Sequence, residues 1–133
     1  MTYRLSFADL NLLSEDIVEI VVDADIEFSL EMMDEYEQFL AFHFADEFGV
    51  LVNRVNQYSY SYEVQLSIAS HERLTAIGVV NYSDESKEST EKIKKLRSID
   101  GWNLAEFSGL DQGWGNALSW IEKELEDLKK HNS

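Results

Sequence analysis

Residues Phe48 to Glu63 read FGVLVNRVNQYSYSYE, and the way the chain passes from the first five residues to the last eight decides the fold. Phe48–Val52 is almost continuously apolar and carries β-branched residues. A strand covered on both faces needs that composition, whereas a half-exposed strand alternates. The octapeptide NQYSYSYE (Asn56–Glu63) instead sets tyrosines at every second position, the spacing of a strand face, and then stops. In the following VQLSIAS, Val64 and Ile68 lie one helical turn apart. The stretch therefore reads as a buried strand, a loop ending near Tyr58, and a helix capped by Ser59 or Ser61 that runs to about Ser70. A capping hydroxyl accepts from an amide that the helix leaves unsatisfied, and its loss costs about 1 kcal/mol. Of Tyr58, Tyr60 and Tyr62, at least one is expected to pack inward and another to stay exposed.

Upstream, Tyr3, Leu5 and Phe7 alternate with polar neighbours as on a half-exposed strand, and Val18, Ile20 and Val22 share one face of a second strand, Ile17–Asp23. The segment between them, DLNLLSED (Asp9–Asp16), reads as a connection giving an antiparallel, hairpin-like entry. A helix is expected to open at Ser29, a favourable N-cap, with Glu31 adding charge to the first turn. Met33, Tyr36, Leu40, His43 and Phe44 keep helical spacing along it, and Met32, Phe39 and Phe42 form a second apolar row on a neighbouring face. One row covers a sheet; the second calls for something further to cover.

Downstream, RLTAIGVVNY (Arg73–Tyr82) is another buried strand, and SKESTEKIKKLRS (Ser86–Ser98) is a helix with a thin apolar stripe, Ile93 and Leu96. Glu88–Lys92 and Glu91–Lys95 lie four apart in the favourable order and are expected to support it. WNLAEF (Trp102–Phe107) alternates as a fifth strand. The last helix carries Trp114, Leu118, Ile121, Leu125 and Leu128 at steps of three and four, and GWG (Gly113–Gly115) at its start reads as tight packing. The order β-β-α-β-α-β-α-β-α predicts an α/β domain over residues 1–133, with a mostly parallel five-stranded sheet and four helices.

Charge narrows the function. Eleven basic against 26 acidic residues give a formal net charge of −15, and no Lys or Arg lies between Arg4 and Arg54, an interval holding 13 Asp and Glu. Such a surface repels phosphate backbones and anionic headgroups, so neither nucleic acid nor a membrane surface is an expected partner. It serves solubility or a salty habitat, or else docks a basic partner. The absence of cysteine excludes disulfides and thiolate chemistry. The apolar runs are too short for a membrane span, and MTYRLSFADLNLL lacks the apolar core of a secretion signal, so a soluble, cytoplasmic protein is expected.

Motifs with chemistry are missing. There is no Gly-rich phosphate loop, no nucleophile elbow, and no second ligand at metal-binding spacing from His43, His71 or His131. No catalytic residue, metal or cofactor is expected. Arg54, the first basic residue after the acidic interval, is expected to pair with a neighbouring carboxylate; the alternative is that it offers charge to an anion.

The segments FGVLVNRVNQYSYSYEVQLSIA, LTAIGVVNYS and WNLAEFSGLDQGWGNALSWI resemble the STAS domains, the anti-sigma-factor-antagonist (SpoIIAA-like) fold, and more closely the bacterial SpoIIAA-like proteins of undefined function. The resemblance implies distant kinship with CRAL-TRIO lipid-binding domains. It implies a regulatory, non-enzymatic module that recognises a protein partner through the loop and helix after the third strand. Asn53, Asn56, Tyr58, Ser59, Tyr60, Ser61 and Tyr62 are the candidate contacts, a polar cradle of helix amides and tyrosine hydroxyls at the sheet's carboxyl edge. Signalling members are phosphorylated on a serine at this place, which makes Ser59 and Ser61 candidates, although YSYSYE lacks the Asp and Gly of that motif. Two further expectations share the second row of the first helix: Met32, Phe39 and Phe42 face either a small hydrophobic ligand or a second copy of the chain in a homodimer.

Overall fold

The alternation that begins at Tyr3 does not run through Phe7 as one strand. In the computed structural model, which describes residues 1–67, 73–96, 103–110 and 112–131, β1 (Thr2–Arg4) ends early and β2 (Ala8–Ser14) follows a tight reversal. The Leu5 amide donates to the Ala8 carbonyl at 2.9 Å to close it. DLNLLSED, expected to be a connection, is thus mostly strand: Ala8 and Leu10 are buried and Leu12 half-buried, alternating with Asp9 and Asn11. β2 pairs antiparallel with β1 on one side and with β3 (Ile17–Val22) on the other. Arg4 pairs with both Asp9 and Asp23, and holds the Asp23 carboxyl below its ordinary range.

The chain continues through β4 (Glu27–Phe28), α1 (Leu30–His43), β5 (Phe48–Arg54), β6 (Ser59–Tyr60), α2 (Tyr62–Ser67), β7 (Leu74–Asn81), α3 (Asp84–Leu96), β8 (Leu104–Ser108) and α4 (Gly113–His131). Ile68 and Ser70 at the expected end of α2, His71, Arg97, Ser98 and Trp102 lie outside the described residues. The α/β class expected from the element order is the one observed. The sheet itself is mixed and has six strands among the described residues, not five, in the order β1-β2-β3-β5-β7-β8. Its first two pairings are antiparallel and its last three parallel. β4 and β6 form a separate short parallel pair, Glu27 opposite Ser59 and Phe28 opposite Tyr60.

Period two sorts the strand side chains onto two faces. On one, Ile17, Leu51, Ala76 and Val80 meet Ala117, Ile121 and Leu125 of α4. On the other, Val18, Ile20, Val22 and Val50 meet Met33, Tyr36, Phe39 and Leu40 of α1. The Ser29 hydroxyl caps α1 as expected, accepting from the Met32 amide at 3.4 Å. The inner face of α3 differs from the expected apolar stripe: Ser86, Thr90 and Ile93 are buried, while Leu96 is 42% exposed. Neither Glu88–Lys92 nor Glu91–Lys95 is within ion-pair distance among the described residues; Lys94 turns instead to Glu106 of β8, at 3.4 Å.

Close approach of α4 depends on two glycines in neighbouring central strands. Ile121 is fully buried; one of its branches lies where a Cβ would stand on Gly49 of β5, and another would be in tight contact, at 3.0 Å, with a Cβ on Gly78 of β7. GWG divides: a Cβ on Gly113 would strike the Ser108 backbone, whereas Gly115 has open space around it. Gly49→Ala is therefore expected to destabilise by about 1–3 kcal/mol through overpacking against Ile121. Gly115→Ala, which only gains helix propensity, is expected to be neutral or stabilising by up to about 1 kcal/mol. Urea denaturation of the two variants beside the parent checks the contrast.

Candidate functional site

The octapeptide is laced to the segment that precedes α1. The Asn56 side-chain amide donates to the Val22 carbonyl at 2.9 Å, and the Asp25 amide donates to the Gln57 carbonyl at 2.7 Å. The amides of Ser59 and Ser61 then donate to the carbonyls of Ile26 and Phe28. This ladder makes Ser59–Tyr60 a strand, after which Ser61 caps α2, its hydroxyl accepting from the Val64 amide at 3.2 Å. Tyr58 and Tyr60 consequently share one side and turn inward, their hydroxyls 3.0 Å apart, while Ser59 faces out. Tyr62 already belongs to the helix and is 64% exposed.

Beneath the two tyrosines lies Arg54, the last residue of β5 and only 3% exposed. One terminal nitrogen donates to Thr90 Oγ1 at 3.0 Å and to the Ser86 carbonyl at 3.3 Å, and the other to the Tyr58 carbonyl at 3.4 Å. The guanidinium carbon sits 4.6 Å from the ring centre of Tyr58 and 5.2 Å from that of Tyr60. Nε has no acceptor in the described chain. The expected pairing of Arg54 with a carboxylate does not occur: among the described residues no acidic group stands within ion-pair distance of it. The reason is the inner face of α3, which presents Ser86 and Thr90 to the arginine and keeps its acids outside. Thr90 passes the chain of hydrogen bonds on to Asn81, and Asn81 to Glu106.

This cluster closes one end of a cavity of about 60 Å³. Its walls are apolar: Ile20, Val22, Val50, Val52, Ile77 and Val79 from the sheet, Tyr36 from α1 and Ile93 from α3, with Leu74 and Leu104 toward the amino ends of their strands. Burial drives the Tyr58 phenol well above its ordinary range; Tyr60 beside it adds to the rise and Arg54 opposes it. Burial raises Tyr36 likewise, with a smaller contribution from Glu37. A larger cleft of about 300 Å³ lies between the carboxyl ends of β7 and β8, but Asp84, Lys87 and Glu106 line it. That is an ordinary polar surface, with no buried group left over.

The other expected site residues lie elsewhere. Asn53 is on the opposite sheet face, where its amide joins those of Asn11 and the Trp114 indole in donating to the buried Glu19 carboxylate, at 3.0, 2.6 and 2.7 Å. Asn56 is spent on the Val22 carbonyl. Met32 and Phe39 pack into the core, with Tyr3 of β1 edge-on to Phe39 at 5.3 Å. Phe42 alone is exposed, at 84%. The three do not form one free face, because the strand pair β1–β2 covers that side of α1, and none of them lines the cavity. No group of His, Asp and Glu suited to a metal occurs among the described residues, and no described helix is long and apolar enough to cross a membrane. Arg54, Tyr36, Thr90 and Ile93 are the site residues that sequence reasoning missed or assigned otherwise. The readable signal was Ser86, Thr90 and Ile93 at helical spacing, two hydroxyls where a core stripe is apolar.

Two outcomes are expected. A phenol held neutral by burial makes the folded state bind its proton more tightly than the unfolded chain does. Stability is then full below about pH 10 and falls as pH rises beyond it. Tyr58→Phe should lessen that alkaline loss, leaving the share due to Tyr36, while costing about 1 kcal/mol at pH 7 through the lost hydroxyl contact, read by denaturant midpoints across pH. Separately, Ser61→Ala should cost about 1 kcal/mol as a lost cap and Ser59→Ala close to nothing, read by the same midpoints.

Comparison with protein-family models, with curated proteins and with solved structures finds no match for the chain, so its own geometry carries the functional argument.

Proposed function

We propose that the protein is a non-enzymatic binding module for a small, mostly apolar molecule, held between the central sheet and the helices α1 and α3. One observation carries this reading: an apolar cavity closed at one end by a convergent polar cluster, Arg54, Tyr58, Tyr60 and Thr90. Apolar walls supply affinity and a few fixed polar groups supply orientation, the usual division of labour in small-molecule sites. The volume is small beside ordinary ligand pockets of roughly 300 Å³ and more, so the ligand is compact.

The STAS-like, SpoIIAA-like assignment belongs to the same proposal. In support of it, the main-sheet strands β3, β5, β7 and β8 are each followed by a helix, the short strands β4 and β6 intervening, and kinship with lipid-binding domains accords with an apolar interior. A second reading, recognition of a protein partner through the loop and helix after β5, draws on Val55, Tyr62 and Leu66, which are about half exposed or more. Tyr58 and Tyr60 argue for the first reading, since they serve the interior.

Narrowing the cavity tests it. Val79→Leu adds a methylene where there is room and is expected to leave stability unchanged or raised, while weakening the binding of a probe of the cavity's size such as xenon. Binding is followed by NMR shifts of the cavity methyls. Undiminished binding in the variant, or no binding to the parent, removes the reading. Tyr62→Ala/Leu66→Ala should leave such binding intact and abolish partner capture if the second reading holds.

A further inference from the structure

The main sheet ends in two unlike edges. An edge strand invites pairing with another chain unless it is short, charged or covered. β1 is three residues long and carries Arg4, tied to Asp9 and Asp23. β8 pairs with β7 over five residues without a bulge, and among the described residues no strand lies on its other side. Alternate residues of a strand turn their amide and carbonyl to opposite sides. The Asn103 carbonyl accepts from the Ile77 amide at 3.0 Å and the Gly109 amide donates to the Asn81 carbonyl at 2.8 Å, so Ala105 and Phe107 face β7 as well. The main-chain groups of Leu104 and Glu106 therefore point outward, without a partner among the described residues. Those of Ser108 face the same way, but Gly113 sits against them.

Charge points to what pairs there. Residues 1–72 hold 15 acidic and two basic residues, and residues 73–133 hold 11 acidic and nine basic ones. The first part thus carries −13 of the net −15 and the second only −2. The sheet order turns that division into space: β1, β2, β3 and β5 belong to the first part, β7 and β8 to the second. A basic partner is drawn to the acidic end. Two copies meeting at β8 join their near-neutral ends and leave β5 and its mate about 24 Å apart, beyond the roughly 8 Å reach of charge at physiological salt. Glu106, the one ionised side chain of β8, is already paired with Lys94 at 3.4 Å.

We infer that a second copy of the chain adds its β8 antiparallel to this edge, about a two-fold axis at Ala105. In that register Leu104 and Glu106 exchange main-chain hydrogen bonds with Glu106 and Leu104 of the second copy, using every outward group of both residues. Ala105 meets its own copy in the close pair between them, where Cα atoms lie about 4.5 Å apart. An axis at Glu106 instead sets that carboxylate opposite itself and brings Leu104 against the covered Ser108. On the other face, α4 packs over β7, so α4 and its mate stand about 14 Å apart, wider than the roughly 8–10 Å of direct helix packing. Trp120, over the half-buried Phe107 with ring centres 6.1 Å apart, supplies the apolar bulk for that gap.

The test is sedimentation velocity of the full chain from micromolar to millimolar concentration at physiological salt. A dimer that dissociates on dilution is expected. Hydrogen-exchange NMR should find the Leu104 and Glu106 amides exchanging at least about tenfold more slowly at the concentrated end. Ala105→Glu and Ala105→Lys each set like charges across the axis, and each alone should weaken the dimer about tenfold or more. An equimolar mixture of the two variants should restore it. If either variant fails to fold, the two amides of the parent decide. A monomer throughout overturns the inference and leaves the edge to an extended segment of another protein. A dimer whose Leu104 and Glu106 amides exchange as fast as in dilute protein, or that Ala105→Glu leaves intact, overturns β8 as its site.

Discussion

The guanidinium of Arg54 is where β5, the tyrosine loop and α3 meet, and its charge constrains all three. Bringing an ion out of water costs several kcal/mol even after the surroundings relax. Hydrogen bonds from a charged donor return about 1.5–3 kcal/mol each, and a desolvated cation over an aromatic face about 2. Those magnitudes explain why α3 turns Ser86 and Thr90 inward and why Tyr58 and Tyr60 lie over the arginine. They also explain why the loop carrying the tyrosines is pinned by four hydrogen bonds to residues Val22 to Phe28. A slack loop would let water compete for the guanidinium and for the cavity behind it.

The sheet divides its two faces between tight packing and binding. Under α4, glycines at Gly49 and Gly78 let Ile121 sit directly on the strands, and the carboxylate buried there, Glu19, receives three donors, while the Asn53 Oδ1 beside it is buried with no hydrogen-bond partner among the described residues. Under α1 and α3 the packing leaves a cavity and an arginine with an unused donor. A rigid opposite face holds the frame that keeps binding groups in place.

Legibility followed the range of the interactions. The helices starting at Ser29 and at Gly113 were readable because caps and apolar periodicity are local. Phe48–Val52 and the strand ending at Asn81 were readable because strands buried on both faces cannot alternate. β2 was missed: a run of eight residues with three acids resembles a connection until Leu10 and Leu12 find a face to bury. The same strand pair lies over the second apolar row of α1, where Met32 and Phe39 pack with Tyr3 of β1, a cover that no local pattern in the helix names.

The candidate site divides the same way. Alternation of Tyr58 and Tyr60 is a property of the sequence, and so is the capping chemistry of Ser61. Whether Arg54 would meet an acid depended on its seat beside Ser86 and Thr90 of α3, 32 and 36 residues away, a contact that the amphipathic pattern of that helix does not name.

The sequence by itself determined the α/β class and the acidic composition, and that at least one of the three tyrosines turns inward, because composition and period act over a few residues; the pairing of Ser59–Tyr60 with Glu27–Phe28 chose Tyr58 and Tyr60. Only the tertiary structure decided that the sheet is mixed, that Asn53 and Arg54 serve opposite faces, and that a buried cation ends an apolar cavity. Those outcomes depend on contacts between Arg54 and Thr90 or Glu19 and Trp114, 36 and 95 residues apart, which no local pattern encodes.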